Sequence, residues 1–292
     1  MPDEPRQGIA HATLVAADAA AASAAYAAQL PLRIVECSTL APDAAARLGH
    51  PELAGTGLIW LANHAGARVL RVLQDPGAHA AADGLDLRRG WMVVEFAVGE
   101  LDELVAGLRS PFRVLGEPAD LDFSSDLRAA QILGPAGEVL YLTRIRAPVP
   151  PFDLPQVTAA RMRPFIGVVA SRAREASVRA WAALLGSPGW QLETRISLIN
   201  RAFGLPPETR HPIALLPMPG QSLVEIDALP VPPRACGTGR RGWLSLGLRL
   251  AAPDEPALRA AGWACRRHGG VLALRGPDGE HLELYPERPA TG

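Results

Sequence analysis

The stretches "GPDGEHLELYPE" at 276–287 and "GPAGEVLYLTRI" at 134–145 are two copies of one element. In each copy a Gly-Pro-x-Gly-Glu run of turn-forming residues leads into a short, mostly apolar segment, the pattern of a turn followed by a β-strand. The copies differ at one informative position, because Glu283 stands where the first copy has Tyr141. The recurrence predicts a chain built from repeated units.

On both sides of these turns, the sequence divides into four modules. Each module has the same order of elements: a strand, a helix and three strands. The first strand of the first module is apolar and the helix after it is rich in Ala, a strong helix former. The first and third modules share a longer insert before their last two strands, "RLGHPEL" and "AFGLPPE". The four first strands are "GIAHATLVAAD", "MVVEFAV", "PFIGVVAS" and "WLSLGLRLA".

The Pro-rich segment "APVPPFDLPQ" at 147–156 has the composition of a linker between domains. We therefore expect an N-terminal domain of residues 1–147 that contains modules one and two. A C-terminal domain of residues 160–292 would contain modules three and four. A chain of 292 residues has the length for two such domains.

The composition is that of an ordinary soluble globular protein, with 48% hydrophobic and 20% charged residues. A net charge of -1 predicts no general attraction to nucleic acid or to an anionic membrane surface. The acidic N-terminus lacks the features of a signal peptide, and no apolar run is long enough to span a membrane. Three widely spaced cysteines indicate neither a disulfide framework nor a thiolate metal site. We expect a cytoplasmic protein, and the absence of Lys is typical of a GC-rich bacterial coding sequence.

The βαβββ order, with "HATLVAAD" and "AAYAAQLPL" in its first module and "GPDGEHLEL" in its last, resembles the vicinal oxygen chelate superfamily. That superfamily includes glyoxalases, bleomycin-resistance proteins and extradiol dioxygenases. The resemblance covers nearly the whole chain and implies an α+β fold in which pairs of modules form cups, here two cup-shaped, duplicated domains. It also implies a divalent metal inside the cup, with ligands from the first and last strands of each module.

In the N-terminal cup the resemblance assigns the ligand positions to His11, Arg71, Val93 and Tyr141. A divalent cation needs three or more lone-pair donors, and a permanent Arg charge is unsuited to that. Arg, Tyr and His together favour binding of a carboxylate or phenolate, because the guanidinium offers a planar fork of donors. In the alternative interpretation His11 is a satisfied strand histidine, and Arg71 pairs with a nearby carboxylate.

In the C-terminal cup the corresponding positions are Ile166, Glu225, Ser245 and Glu283. We expect the two glutamates to face each other across one cup. A buried carboxylate pair shares a proton or acquires a raised pKa, which would supply catalytic acid-base chemistry. In the alternative interpretation one glutamate points outward and is merely solvated.

Alternate residues of a strand share a face, so His281, Glu283 and Tyr285 are expected to point into the cup together. Glu225, Glu283 and His281 could hold iron, manganese or zinc, although a bound metal is not favoured and the cofactor stays unknown. In the insert of module three, Asn200 and Arg201 are expected to cover the cup mouth and to present polar groups to a ligand.

These residues favour a protein that binds a small organic metabolite, aromatic or carboxylate, with lyase- or isomerase-type acid-base catalysis as one outcome. A ligand-sequestering protein of the bleomycin-resistance type without turnover is an alternative. A third alternative is a divergent metal-dependent dioxygenase. The loss of the first-strand histidines argues against it. Association of identical chains stays open.

Overall fold

The computed structural model of the protein describes residues 7–78, 87, 89–122, 124–229 and 241–287. Each of the four predicted modules is present. Module one comprises β1 Gly8–Ala16, α1 Ala19–Gln29, β2 Leu32–Thr39, α2 Pro42–Arg47, a 3-10 turn Pro51–Leu53, β3 Gly57–Asn63 and β4 Arg68–Gln74. Module two comprises β5 Gly90–Ala97, α3 Leu101–Gly107, β6 Arg113–Leu121, β7 Ser124–Leu133 and β8 Val139–Ile145.

The second half of the chain repeats the order. A 3-10 turn, Ala159–Arg161, precedes module three, which comprises β9 Arg163–Ser171, α4 Arg174–Leu185, β10 Trp190–Arg195, α5 Ser197–Phe203, β11 Arg210–Met218 and β12 Ser222–Ala228. Module four comprises β13 Gly242–Arg249, α6 Glu255–Ala260, β14 Ala264–His268, β15 Val271–Arg275 and β16 His281–Tyr285. In the described parts of the chain no helix is both long and apolar enough to cross a membrane.

The sixteen strands of the described chain form two eight-stranded sheets, each built from two modules. The terminal sheet has the order β14-β15-β16-β13-β1-β4-β3-β2 and joins modules one and four. The central sheet has the order β10-β11-β12-β9-β5-β8-β7-β6 and joins modules two and three. The fold is therefore the expected α+β arrangement of two cups, which we name the terminal cup and the central cup.

The expected pairing of modules, one with two and three with four, is wrong. Module pairs are joined at their first strands, which run antiparallel: Thr13 of β1 lies opposite Ser245 of β13, and Val93 of β5 lies opposite Val168 of β9. The segment at 147–156 does lie between β8 and β9, but the modules on its two sides share the central sheet. The stretches 1–147 and 160–292 therefore each contribute to both sheets.

The repeated turn explains what holds the two modules of each half together across the sheets. Glu138 accepts a hydrogen bond from the Tyr26 hydroxyl of α1 at 2.6 Å, and it also accepts one from the backbone N–H of Ala136. Glu280 in the second copy accepts in the same way from Trp181 of α4 at 3.0 Å and from the N–H of Asp278. Each turn thus fixes the helix of the preceding module. Burial, the main cause, raises the pKa of both glutamates to about 7.

Tryptophans fill much of the space between the two sheets. Trp181 contacts Trp91 and Trp263 edge to face, with ring centroids 5.9 and 5.0 Å apart. The indole N–H of Trp91 donates to the carbonyl of His281 on the other sheet, and Trp243 donates to the carbonyl of Val139. Large aromatic rings bury extensive apolar area, and here their polar atoms also have partners. These tryptophans therefore form part of the core between the two sheets.

Candidate functional site

The concave face of the central sheet lines an open cavity of about 450 Å³. Its polar side chains include Glu95 from β5, Tyr141 from β8 and Glu225 from β12. The cavity walls are largely apolar, with contributions from Phe152, Phe165, Ile166, Ile213, Leu215 and Leu223. A concave, mostly apolar cleft with a few converging polar groups is the usual form of a small-molecule site.

Glu95 is the most buried acid of this cavity, with a relative exposure of 7%. It lies beside Tyr141 on β8 and opposite Ile166 on β9, so the sheet fixes its direction. The hydroxyl of Thr143 donates a hydrogen bond to its carboxyl group. Burial raises the pKa of Glu95 to about 8, and the charge of Glu225 adds to the effect while the Thr143 hydrogen bond opposes it. At neutral pH Glu95 is therefore mostly a neutral acid.

Glu225 and Asp227 form a second acidic group on β12. Burial, the charge of Asp227 and a hydrogen bond between the two side chains raise the pKa of Glu225 well above its usual value. The pKa of Asp227 is raised to about 7, mainly by burial, against the lowering influence of the Glu225 hydrogen bond and of Arg174. Two carboxyl groups so close in a dry site favour a shared proton.

Tyr141 and Gln131 supply neutral hydrogen-bonding groups to the same cavity. The side-chain amide of Gln131 donates to the Tyr141 hydroxyl at 3.4 Å, and its oxygen accepts from Ser197 at the start of α5. Burial, followed by the charges of Asp227, Glu225 and Glu95, raises the pKa of Tyr141, so its hydroxyl stays protonated. The cavity therefore offers donors and acceptors without a permanent positive charge at this position.

The insert of module three lies at the mouth of the central cup, where Ser197, Pro207 and Glu208 belong to the cavity lining. The two insert residues expected to meet a ligand have other partners. Asn200 is buried, donates to the carbonyls of Pro207 and Thr209, and accepts from His211 at 2.6 Å.

Arg201 donates to the backbone carbonyl of Leu115 on β6, across the cup from its own module. Arg201 and Asn200 are both outside the cavity lining. Asn200 therefore stabilises the conformation of the insert, and Arg201 links the insert to module two by a hydrogen bond.

The terminal cup holds a compact ionic cluster around Glu283, which is fully buried. Arg71 donates to Glu283 and, through Nε at 3.0 Å, to the hydroxyl of Thr13. Arg47 of α2 reaches the other carboxylate oxygen at 3.3 Å. Burial alone would raise the pKa of Glu283, but Arg71, His11 and Arg47 together hold it below its usual value. Glu283 is thus a carboxylate neutralised by arginine from inside the protein.

His11 and Tyr285 lie beside this cluster, with ring centroids 5.8 Å apart. Nε2 of His11 is 4.0 Å from Glu283 and has no hydrogen-bond partner among the residues that the structure describes. Burial, followed by the charge of Arg71, lowers the pKa of His11 to about 3 against the opposing influence of Glu283, so the ring is neutral. Burial and the charge of Glu283 raise the pKa of Tyr285 to about 12.

The residues present in these cups do not fit a divalent metal. In the terminal cup the guanidinium of Arg71 already neutralises Glu283, and a second cation would be repelled. In the central cup Glu95 and Glu225 face the cavity, but no His or Cys of the described residues joins them in its lining, and a divalent cation needs three or more donors. Within the described ranges no three His, Cys, Asp or Glu side chains are arranged to hold a metal.

Several expected groupings are corrected by the pairing of the modules. Tyr141 belongs to the central cup and not to the concavity of His11 and Arg71. Glu225 is in the central sheet, whereas Glu283 and His281 are in the terminal sheet, so the proposed metal trio and the facing glutamate pair do not form. The alternative interpretation, in which Arg71 pairs with a nearby carboxylate, describes the terminal cup.

Glu95 was missed by the sequence analysis, which assigned the ligand position on β5 to Val93. The signal was present, because Glu95 is a single acid within the apolar run "GWMVVEFA". Residues 93 and 95 are two positions apart on β5 and share a face of the strand.

Comparison with known proteins identifies the architecture. No family model and no curated protein matches the sequence. A Glu-to-Gln mutant of glyoxalase I from Zea mays matches with a TM-score of 0.62 and 14% identity, over 97% of this chain and 94% of that chain. A candidate dioxygenase from Bacillus subtilis subsp. subtilis strain 168 matches with a TM-score of 0.59 and 14% identity, over 98% and 87%. The four βαβββ modules of this chain therefore have the fold of the vicinal oxygen chelate superfamily.

Proposed function

We propose that the protein binds a small, largely apolar organic molecule in the central cup. The observation that carries this proposal is the cavity of about 450 Å³ with apolar walls and two buried carboxyl groups, Glu95 and Glu225. Its volume suits a ligand of metabolite size. Burial of a polar ligand group there requires hydrogen-bond partners, which Glu95, Tyr141 and Gln131 provide.

The charges around the cavity indicate a neutral or cationic ligand rather than a carboxylate. Besides Glu95 and Glu225, the lining includes four acids at the mouth: Glu117, Asp120, Asp122 and Glu208. Arg195 is the one basic residue among the described lining residues, and it pairs with Asp122 and Glu208. An anion would be repelled here, whereas an amine would convert a neutral Glu95 into an ion-paired carboxylate.

A second candidate function is acid-base catalysis of the isomerase or lyase type. It is favoured by the pKa of Glu95, raised to about 8 by burial, because a group that titrates near neutral pH can both accept and return a proton. A bound carbonyl compound would be polarised by the hydroxyl of Tyr141 while Glu95 exchanges a proton at the neighbouring carbon. The maize glyoxalase I and the Bacillus candidate dioxygenase support a small-molecule role only through their fold.

Sequestration of a ligand without turnover is the alternative that uses the same cavity. Proton exchange distinguishes the two functions: phenylacetone in deuterated water should incorporate deuterium faster with the parent protein than with Glu95→Gln. Equal rates with the two proteins would leave binding as the function. Association of identical chains and a cytoplasmic location stay predictions from the sequence.

Binding in the central cup is tested by calorimetry with three ligands of one shape: benzylamine, benzyl alcohol and benzoate. We expect benzoate to bind at least about tenfold more weakly than the other two, a difference of about 1.4 kcal/mol. Glu95→Gln should weaken benzylamine binding by about tenfold, since the amide cannot form the ion pair. Glu193→Gln is the matched control, because Glu193 lies on β10 of the same sheet, is exposed and is outside the cavity lining.

Two results would contradict the proposal. Benzoate could bind more tightly than benzylamine, which would assign the opposite charge preference to the site. Alternatively, Glu95→Gln and Glu225→Gln could both bind all three ligands as the parent does, which would remove the central cup from the function.

A further inference from the structure

A second cavity, of about 500 Å³, lies where the β14–β16 end of the terminal sheet meets residues 89–91 at the start of β5. Ala46, Arg47, Gly49 and His50 from the insert of module one line one side of it. Strands β14, β15 and β16 of module four line the other, and Val15 and Leu244 contribute apolar surface. The cavity is separate from the central cup and shares no lining residue with it.

The cavity is strongly basic. Five arginines line it: Arg47, Arg89, Arg241, Arg266 and Arg275. Among its described lining residues Glu280 is the one acid. The Glu280 carboxyl is already bonded to Trp181 and to the backbone of its own turn. Like charges gathered in one concave site raise the local concentration of oppositely charged ligands.

Arg266 and Arg275 are the lining arginines best placed to bind an external anion. Arg266 lies opposite Ala273, and Arg275 lies opposite both Ala264 and His281, so the ladder brings these side chains to one face. Within the described residues neither arginine has an acidic partner, whereas Arg47 pairs with Asp43 and Glu283. Two exposed guanidinium groups without acidic partners at one cavity can together donate several hydrogen bonds to an oxyanion.

His281 can serve as a spectroscopic reporter of anion binding at the same site. It lies beside Arg275, and its ring centroid is 5.8 Å from that of His50. Burial is the largest cause that lowers the pKa of His281 to about 4, followed by the charges of His50 and Arg275. The neutral ring is thus held among positive charges that an anion would compensate.

We propose that this second cavity binds a small organic oxyanion, a phosphate ester or a dicarboxylate, through Arg266 and Arg275. The proposal assigns anion binding to the arginines of module four and not to Arg71, whose charge Glu283 neutralises. It also gives the chain two sites of opposite preference, a basic second cavity and an acidic central cup. It is independent of the function proposed for the central cup.

Calorimetric titration with succinate, glycerol phosphate and succinamide tests the proposal. Succinate and glycerol phosphate represent the two sources of an oxyanion, and neutral succinamide has the shape of succinate without its charge. We expect at least one anion to bind at least about tenfold more tightly than succinamide. The anion that binds more tightly identifies the class of natural ligand. The Arg266→Gln, Arg275→Gln double variant should weaken that binding by at least about tenfold.

Arg267→Gln is the matched control, because Arg267 follows Arg266 on β14 but pairs with Glu255 of α6 at 2.5 Å. It should change anion affinity by less than about twofold. Nuclear magnetic resonance of the parent protein gives a second test that needs no substitution, since the bound anion should shift the ring signals of His281.

Three results would overturn the proposal. The double variant could bind the anion as tightly as Arg267→Gln does. Succinamide could bind as well as succinate. Neither anion, at millimolar concentration, could shift the His281 signals of the parent protein.

Discussion

At the scale of single residues, the two cups differ in how they compensate buried charge. In the terminal cup Glu283 is ionised, because Arg71 and Arg47 contact both of its oxygens. In the central cup no arginine of the described chain is paired with Glu95, and the carboxyl remains protonated at neutral pH. A carboxylate satisfied from within the protein is a structural element, whereas an unpaired acid facing a cavity is available to a ligand.

The ion pair of Arg71 and Glu283 should be essential for stability. Arg71→Gln leaves a buried carboxylate without its main partner, and we expect the free energy of unfolding to fall by about 3–5 kcal/mol. Urea denaturation followed by circular dichroism measures the loss. Arg195→Gln, which removes an exposed arginine paired with Asp122, is the control and should cost much less. An Arg71→Gln protein as stable as that control would contradict the structural role.

Glu95 should make stability depend on pH in a defined direction. Burial raises the pKa of Glu95 to about 8 from an ordinary value of 4.5, so the unfolded chain ionises first as the pH increases. Its stabilising contribution is complete below pH 4.5 and is lost as the pH rises to about 8. We expect the free energy of unfolding to decrease between about pH 4.5 and about pH 8, and to decrease less in Glu95→Gln.

Other groups titrate near the same range, so the control decides the assignment to Glu95. Burial raises the pKa values of Asp227, Glu138 and Glu280 to about 7, and these residues are unchanged in the variant. Glu193→Gln should keep the full pH dependence of the parent. A Glu95→Gln protein with an unaltered slope would mean that Glu95 is already ionised.

At the scale of elements, the Gly-Pro-x-Gly-Glu turn is the unit that the sequence identified most securely. Its function became clear only from the structure, where the glutamate of each turn binds a helix of the preceding module. The first glycine of each turn leaves room for the carboxyl group of the glutamate to fold back over the turn. A Cβ on Gly134 would lie 2.0 Å from a carboxylate oxygen of Glu138, and one on Gly276 would lie 2.1 Å from Glu280.

Substitution of these glycines should therefore disrupt the turn. We expect Gly134→Ala or Gly276→Ala to lower the free energy of unfolding by about 2 kcal/mol, the cost of displacing a buried hydrogen-bonded carboxyl group. Gly107→Ala at the end of α3 is the control, because a Cβ there meets nothing within 4 Å and Ala favours helix. Equal stability of Gly134→Ala and Gly107→Ala, measured by urea denaturation, would show that the Glu138 contact is dispensable.

At the scale of the whole molecule, the sequence predicted the four modules and the α+β class but not which modules share a sheet. All four first strands are mostly apolar and are buried on both faces along most of their length, so β1 had no local feature that selects β13 over β5. The pairing depends on contacts between the sheets, such as the Trp91 hydrogen bond to the carbonyl of His281, which join residues far apart in sequence.

The error in pairing is also the main reason why the site was only partly predicted. Glu225 and Tyr141 were assigned to different cups, whereas both line the cavity of the central cup. Arg71 and His11 lie in one cluster, where the charge of Arg71 is neutralised by Glu283. The raised pKa of Glu95 arises from burial, which a single sequence does not display.

The pairing predicts that the halves of the chain depend on each other. Residues 1–147 and 160–292, produced separately, should not form folded monomers, because β1 and β5 would lack their antiparallel partners. An equimolar mixture should recover the circular dichroism spectrum and the cooperative unfolding of the intact chain. A half that folds alone as a stable monomer would contradict the topology.

Ligand binding in the central cup is the central expectation for this protein, and one crystallographic measurement tests it. Crystals soaked in para-bromobenzylamine can be measured at the bromine absorption edge, so that anomalous scattering locates the bound molecule. We expect a bromine peak among the apolar walls of the central cup, with the amine directed to Glu95 or Glu225. A peak in the terminal cup, or a central cup without one, would contradict it.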